Sequence, residues 1–168
     1  MLCVIAKLTP DVNEKFSRLR QTALPQIHFS SPLYAHITLA TYLPENTETF
    51  TAFCREMFRS VPSFTVLYEK LEVLPETSII VATPSFSETL RSLHERISSR
   101  FGENLDRWTC DETWYPHTTL VYNPAMDLNA VCKEMQKHFV PFDASVDQIE
   151  FSRVEENGYT IVESVRLL

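Results

Sequence analysis

The chain opens on a short, nearly continuous apolar run over residues 2–8, of the length and composition of a buried strand. Thr9-Pro10-Asp11 then supplies a helix entry. Val12, Phe16, Leu19 and Ala23 recur at helical spacing, which predicts a helix over 11–22. A loop through Pro25 and Pro32 leads to a strand over 35–42. After Pro44, the residues Phe50, Phe53, Cys54, Met57 and Phe58 fall on one side of a helix over 47–60, which Val61-Pro62 stops. Residues 64–74 read as a strand, closed by the turn Pro75-Glu76-Thr77. A second round follows: a strand over 79–82, then a helix over 85–101 with Leu90, Leu93, His94 and Ile97 on a common face, ended by Gly102. A polar loop holding Trp108 and Trp114 precedes a strand over 117–122 and a helix over 127–139. Two strands, 145–154 and 159–167, end the chain, joined through Glu156-Asn157-Gly158, where Asn-Gly is a strong hairpin signal.

Both halves, about 1–75 and 76–168, therefore run strand, helix, strand, helix, strand. The order predicts one α+β domain of two pseudo-symmetric lobes, each a mainly antiparallel sheet with helices on its outer face. A doubly wound parallel sheet is the structural alternative, because strand–helix alternation alone also permits it. Only two glycines are present, Gly102 and Gly158, so Gly-rich phosphate loops of the Walker or dinucleotide-binding kind are excluded.

At 168 residues the chain is most economically a single domain with a real core. A composition of 44% hydrophobic and 22% charged residues is that of an ordinary globular protein. The formal net charge of −7 argues against a long nucleic-acid-binding surface, which needs a basic stripe, but leaves room for a pocket that takes one nucleotide or one RNA end. No run reaches the length of a membrane span and the first residues are too few for a signal segment, so a cytoplasmic location is the default expectation. Cys3, Cys54, Cys110 and Cys132 have no paired spacing, which fits free thiols better than a disulfide framework or a zinc site.

The candidate chemistry lies in a repeat. Tyr34-Ala-His36-Ile-Thr38-Leu39 and Tyr115-Pro-His117-Thr-Thr119-Leu120 share the pattern Y-x-H-x-T-L, followed by Pro44 and Pro124. Residues two apart on a strand point the same way, so His36 with Thr38, and His117 with Thr119, each share a face. The second copy is less regular, with the polar Thr118 where the first has Ile37. If the two strands lie near a pseudo-twofold axis, two imidazoles and two hydroxyls converge. One imidazole then serves as base and the other as acid. Threonine hydroxyls can hold the oxygens of a phosphate during in-line displacement. Such a set suits phosphodiester transfer or hydrolysis without a metal.

With these motifs the chain resembles the two-histidine phosphoesterase superfamily, the bacterial 2′–5′ RNA ligase-like and cyclic phosphodiesterase proteins. The resemblance rests on His36-Ile-Thr38-Leu39 and His117-Thr-Thr119-Leu120, at equivalent places in two similar halves. It extends over essentially the whole chain, since Ile149-Glu-Phe-Ser-Arg153 through Leu167 looks like the family's closing hairpin. It implies opening of cyclic phosphates, typically a 2′,3′-cyclic phosphate at an RNA or nucleotide end, to a 2′-phosphate. His36 and His117 would be the catalytic acid–base pair, in an order the sequence leaves open, and Thr38 and Thr119 would grip the phosphate. No cofactor and no metal are expected, the partner is a nucleotide or RNA terminus, and nothing demands more than a monomer.

Neither motif has a lysine or arginine beside it. Lys7 on the first strand and Arg153 on the closing hairpin are the candidates to bring positive charge to the cleft. Tyr34, Tyr115, Trp114, Phe29 and Tyr42 are candidates for stacking on a base, a contact worth roughly 1–3 kcal/mol. Tyr115 and Trp114 lead because their loop adjoins the second motif. His94 and His138 read as packing or surface residues on helices, and His28 as a loop residue without a catalytic role. Asp106, Asp111 and Glu112 read as a solvated loop. Two other functions remain open at this point: a nucleotide- or RNA-end-binding module with little turnover, and a metal hydrolase using His36 and His117 with Asp111 or Glu112.

Overall fold

The computed structural model describes residues 1–27, 34–123, 125–155 and 158–168. The order of elements is β1 (Leu2–Leu8), α1 (Pro10–Ala23), β2 (His36–Tyr42), α2 (Glu48–Phe58), β3 (Phe64–Val73), β4 (Ile79–Pro84), α3 (Glu88–Phe101), β5 (Thr118–Tyr122), α4 (Leu128–Gln136), β6 (Phe142–Glu155) and β7 (Gly158–Arg166). The fold is α+β, and every named strand pairing is antiparallel, which removes the doubly wound alternative. No helix among the described residues is long and apolar enough to cross a membrane.

Three boundaries shift by three residues from the expected ones. Helix α3 starts at Glu88 rather than 85, because Ser87 is its N-cap and its side chain accepts from the Leu90 N–H, while the Ser85 N–H still bonds to Leu67 O. Helix α4 ends at Gln136, short of 139, and β6 begins at Phe142 rather than 145. Those added residues extend the pairing with β3, through Val66↔Ala144, Leu67↔Asp143 and Tyr68↔Phe142.

The strand order is β2-β1-β6-β3-β4-β5, with β7 on β6. Exchanging β1 with β4, β2 with β5 and β3 with β6 turns this order into its own reverse. A pseudo-twofold axis therefore passes between β3 and β6, where antiparallel pairing allows it. The sequence halves are not the spatial lobes: β6 from the second half lies on β1, and β3 from the first lies on β4. The helices cross over as well. On α1, Phe16 packs its ring on Tyr68 of β3 at 5.3 Å. On α3, Phe101 packs on Tyr42 of β2 at 5.9 Å and on Phe50 of α2 at 5.1 Å. All of these helices cover the apolar face of the sheet, and one continuous core runs from Leu2, Val4 and Ala6 through Ile37 and Leu39 to Ile80, Ala82, Leu120 and Ile149. The opposite face carries the site.

β6 and β7 pair as far as Glu155↔Gly158; Glu156 and Asn157 of the expected hairpin, with His28, Phe29 and Pro124, lie outside the described residues.

Candidate active site

The two motifs sit on β2 and β5, the strands at opposite ends of the path. The sheet curls until these ends meet: the Thr118 hydroxyl donates to the carbonyl of His36 at 2.9 Å. Thr118, polar where the first motif has Ile37, is thus the tie between the copies. Its oxygen in turn accepts from the hydroxyl of Tyr68 at 2.6 Å, since its own hydrogen is spent on His36. Thr118 and Tyr68 are both buried, and burial pushes the Tyr68 phenol well above its usual range, so it stays a donor.

Each motif bulges at its leucine. On β2, Ile5 faces Thr38 but Val4 faces Ala40, so Leu39 is the extra residue. On β5, Val81 faces Thr119 but Ile80 faces Val121, so Leu120 is the extra residue. Bulges bend a strand and re-aim its side chains. Consecutive burial of Leu39 with Ala40, and of Leu120 with Val121, is the local result. A side chain from a helix of the other half bonds each bulged carbonyl: His94 Nδ1 to Leu39 O at 2.8 Å, and Arg20 Nη1 to Leu120 O at 3.2 Å.

The two histidines are held alike. His36 Nδ1 lies 2.8 Å from Tyr34 O, and His117 Nδ1 lies 2.7 Å from Tyr115 O, in each case two residues back. A carbonyl only accepts, so each Nδ1 carries the hydrogen and each neutral ring keeps its lone pair on Nε2. Burial lowers both pKa values. His36 falls to about 4, with the neighbouring His117 adding to the effect of burial. His117 falls less, because the Tyr115 carbonyl and the Glu72 carboxylate offset burial. His117 sits just ahead of β5 rather than within it, and Thr119 is exposed beside it.

Lys7 stands directly opposite His36 in the β1–β2 ladder, hence on the same face. Its ammonium pairs with the buried Glu150 at 2.8 Å and lies 5.0 Å from the Tyr34 ring centroid. Across the pseudo-twofold axis a similar set is formed by Lys70 and Glu72 of β3 with Tyr115. Lys70 Nζ reaches Glu72 at 3.0 Å and lies 6.0 Å from the Tyr115 ring centroid. Tyr115 and Thr83 both donate to Glu72, at 2.5 and 2.6 Å. Burial alone would raise the Glu72 pKa, but the hydrogen bonds from Thr83, Tyr115 and Lys70 outweigh it and hold the group low. Glu150 opposes Ile5, which opposes Thr38; Glu72 opposes Val81, which opposes Thr119. Each threonine therefore has a carboxylate two strands away on its own face.

The other expected residues divide. Trp114 donates from Nε1 to Thr38 O at 2.9 Å and stacks on His94, ring to ring at 4.0 Å. Arg153 does not reach the cleft: it lies opposite Leu2, on the core-side face, and is exposed. Tyr42 is a core residue stacked on Phe50, not a stacking platform for a base. Asp111 stands by His94 Nε2, at 3.3 Å, and accepts from Ser98, away from the motif pair. Among the described residues no three metal-binding side chains converge on one point. A pocket of about 390 Å³ opens beside the motifs, lined by Thr38 and His117 with Trp108, Trp114, Tyr115 and Asp106. Sequence reasoning missed Thr118, Tyr68, Lys70, Glu72 and Glu150 as site residues. Of these, Thr118 showed as the polar misfit of the second motif, and Lys70 and Glu72 as an alternating pair on one strand.

The family described as the 2′-5′ RNA ligase superfamily matches residues 8–158. No curated protein matches the chain by sequence. Among solved structures, TT0787 of Thermus thermophilus superposes with a TM-score of 0.70 at 19% identity, covering 99% of this chain and 97% of that one. E. coli LigT complexed with 3′-AMP gives 0.69 at 15% identity, covering 99% and 96%. LigT complexed with phosphate gives 0.70 at 15% identity, again covering 99% and 96%.

Proposed function

Because this chain belongs to the 2′-5′ RNA ligase superfamily, the two-histidine phosphoesterases, we propose that it is a metal-independent phosphodiesterase that opens cyclic phosphates. The substrate is a 2′,3′-cyclic phosphate at a nucleotide or RNA end. One observation carries the reading: both imidazoles present Nε2 from matched settings, each with Nδ1–H fixed to the carbonyl two residues back, and His117 lies near enough to lower the pKa of His36.

In this reading His36, with the lower pKa, is the base, and His117, whose proton the Glu72 carboxylate favours, is the acid. His36 Nε2 takes a proton from water as its oxygen bonds to phosphorus. The bond from phosphorus to the 3′ oxygen breaks, and His117 Nε2–H gives that oxygen its proton, leaving a 2′-phosphate. An anionic phosphate between the rings raises the pKa of both, so the acid acquires its proton with the substrate in place. Thr38 and Thr119 donate to the non-bridging oxygens. Carbonyl anchoring at Nδ1 fixes the tautomer through the cycle. The chain acts as one bilobal unit over residues 1–168, each sequence half giving one motif. LigT, a structural neighbour with bound 3′-AMP or phosphate, supports a nucleotide as occupant.

The test is incubation with 2′,3′-cyclic mononucleotides in EDTA, with the product identified by phosphorus NMR. Hydrolysis to a nucleoside 2′-monophosphate at an undiminished rate is the expected result. Loss of turnover on chelation would contradict it, and tight binding without turnover would make the protein a binding module.

A further inference from the structure

The pocket that holds Thr38 and His117 at one side carries a carboxylate in its wall. Among the described residues, Asp106 is the sole formally charged one in the lining apart from the titratable His117. Around it the wall is aromatic, formed by Trp108, Trp114 and Tyr115. Trp114 is fixed by its bond to Thr38 O and by His94 stacked on its ring, so it offers a rigid flat surface. Such a wall suits a planar ring, and among the described residues it contains no lysine or arginine for a second phosphate.

Asp106 is held as firmly. Its backbone N–H donates to Thr41 O at 2.9 Å, which ties it to β2 beyond the first motif. Its Oδ1 accepts from the Trp108 N–H at 3.0 Å and from the Thr109 hydroxyl at 2.9 Å, using both lone pairs. The Thr109 oxygen in turn accepts from the Thr41 N–H at 3.0 Å. Among the described residues Oδ2 has no hydrogen-bond partner. Asp106 is half-buried, and a carboxylate oxygen accepts only, so it attracts an N–H and repels a carbonyl oxygen.

We propose that Asp106 selects the base: the pocket takes the nucleobase with an exocyclic amino group turned to Asp106 Oδ2. Cytosine and adenine are then preferred over bases with a carbonyl or a hydrogen in that place. The inference rests on the phosphodiesterase reading for the phosphate end, but it concerns binding and is separable from turnover.

Two matched pairs test it. Cytidine and uridine differ at position 4 by amino against carbonyl, and adenosine and purine riboside differ only by the 6-amino group. The dissociation constants of their 2′-monophosphates are measured by calorimetry, and kcat/KM is measured on their 2′,3′-cyclic phosphates. The amino member of each pair should bind about tenfold more tightly, the size of one charge-assisted hydrogen bond. Asp106→Asn keeps the Oδ1 acceptor for Trp108 and Thr109 and turns the other oxygen into an NH2 group, so its melting temperature should hold while the preference collapses to about twofold or less. Equal affinities within each pair for the unaltered protein, or full discrimination retained in Asp106→Asn, would overturn the assignment. Discriminating binding without hydrolysis would uphold Asp106 as the selector and remove the catalytic reading instead.

Discussion

Thr118 looks like a blemish in the second motif and works as its anchor. The repeat of histidine and threonine is legible in the sequence because strand alternation alone puts His36 with Thr38 on one face. The bond from Thr118 to His36 O is not, since it joins residues 82 apart in the chain and depends on the sheet curling end to end. Val has nearly the shape of Thr but no hydroxyl, so Thr118→Val leaves both the Tyr68 hydroxyl and the His36 carbonyl unpaired in a buried place. It should cost about 1–3 kcal/mol in urea unfolding, with slower turnover as β2 and β5 lose their tie. Thr118→Ser restores the hydroxyl and should recover most of both. A valine variant as stable and as fast as the parent would contradict the anchor.

At the scale of elements, the bulges at Leu39 and Leu120 explain how two edge strands present matched side chains to one another. Edge strands expose unpaired backbone groups, and here side chains cover them. Along β2, Thr118, Trp114 and His94 bond the carbonyls of His36, Thr38 and Leu39 in turn. A double apolar pair in each motif, Leu39-Ala40 and Leu120-Val121, was the only trace of the bulges in the sequence, because register belongs to the pairing and not to the strand. His94 read as a packing residue; it packs, and its Nδ1–H also holds the bulge. His94→Leu fills the space but leaves Leu39 O without its donor and removes the stack beneath Trp114. Chemical denaturation should show a loss of about 1–3 kcal/mol. No change would mean that the bulge holds without the imidazole.

For the whole molecule, the legible part was the α+β class and the two similar halves; the exchange of β3, β6, α1 and α3 between them was not, because periodicity says which face is apolar and not which partner covers it. The same burial that builds the site makes the fold sensitive to acid. His36, His94 and His117 all titrate below the ordinary histidine value, His36 at about 4. Below about pH 6.5 the unfolded chain binds protons that the folded chain refuses, so stability falls as pH falls through that window, by at most about 1.4 kcal/mol per pH unit for each histidine. Above pH 7 these groups are neutral in both states and contribute no slope. Urea midpoints should therefore be level between pH 7 and 8 and drop steadily toward pH 5, and a level midpoint down to pH 5 would contradict the buried neutral histidines. The central claim is that one histidine from each half acts on the same phosphorus. Its most direct test is the rate of hydrolysis of a 2′,3′-cyclic mononucleotide by His36→Ala and by His117→Ala, with melting curves to show that each is folded. Each variant should lose about 10²–10⁴ in kcat, and near-parental activity in either one would contradict the pair.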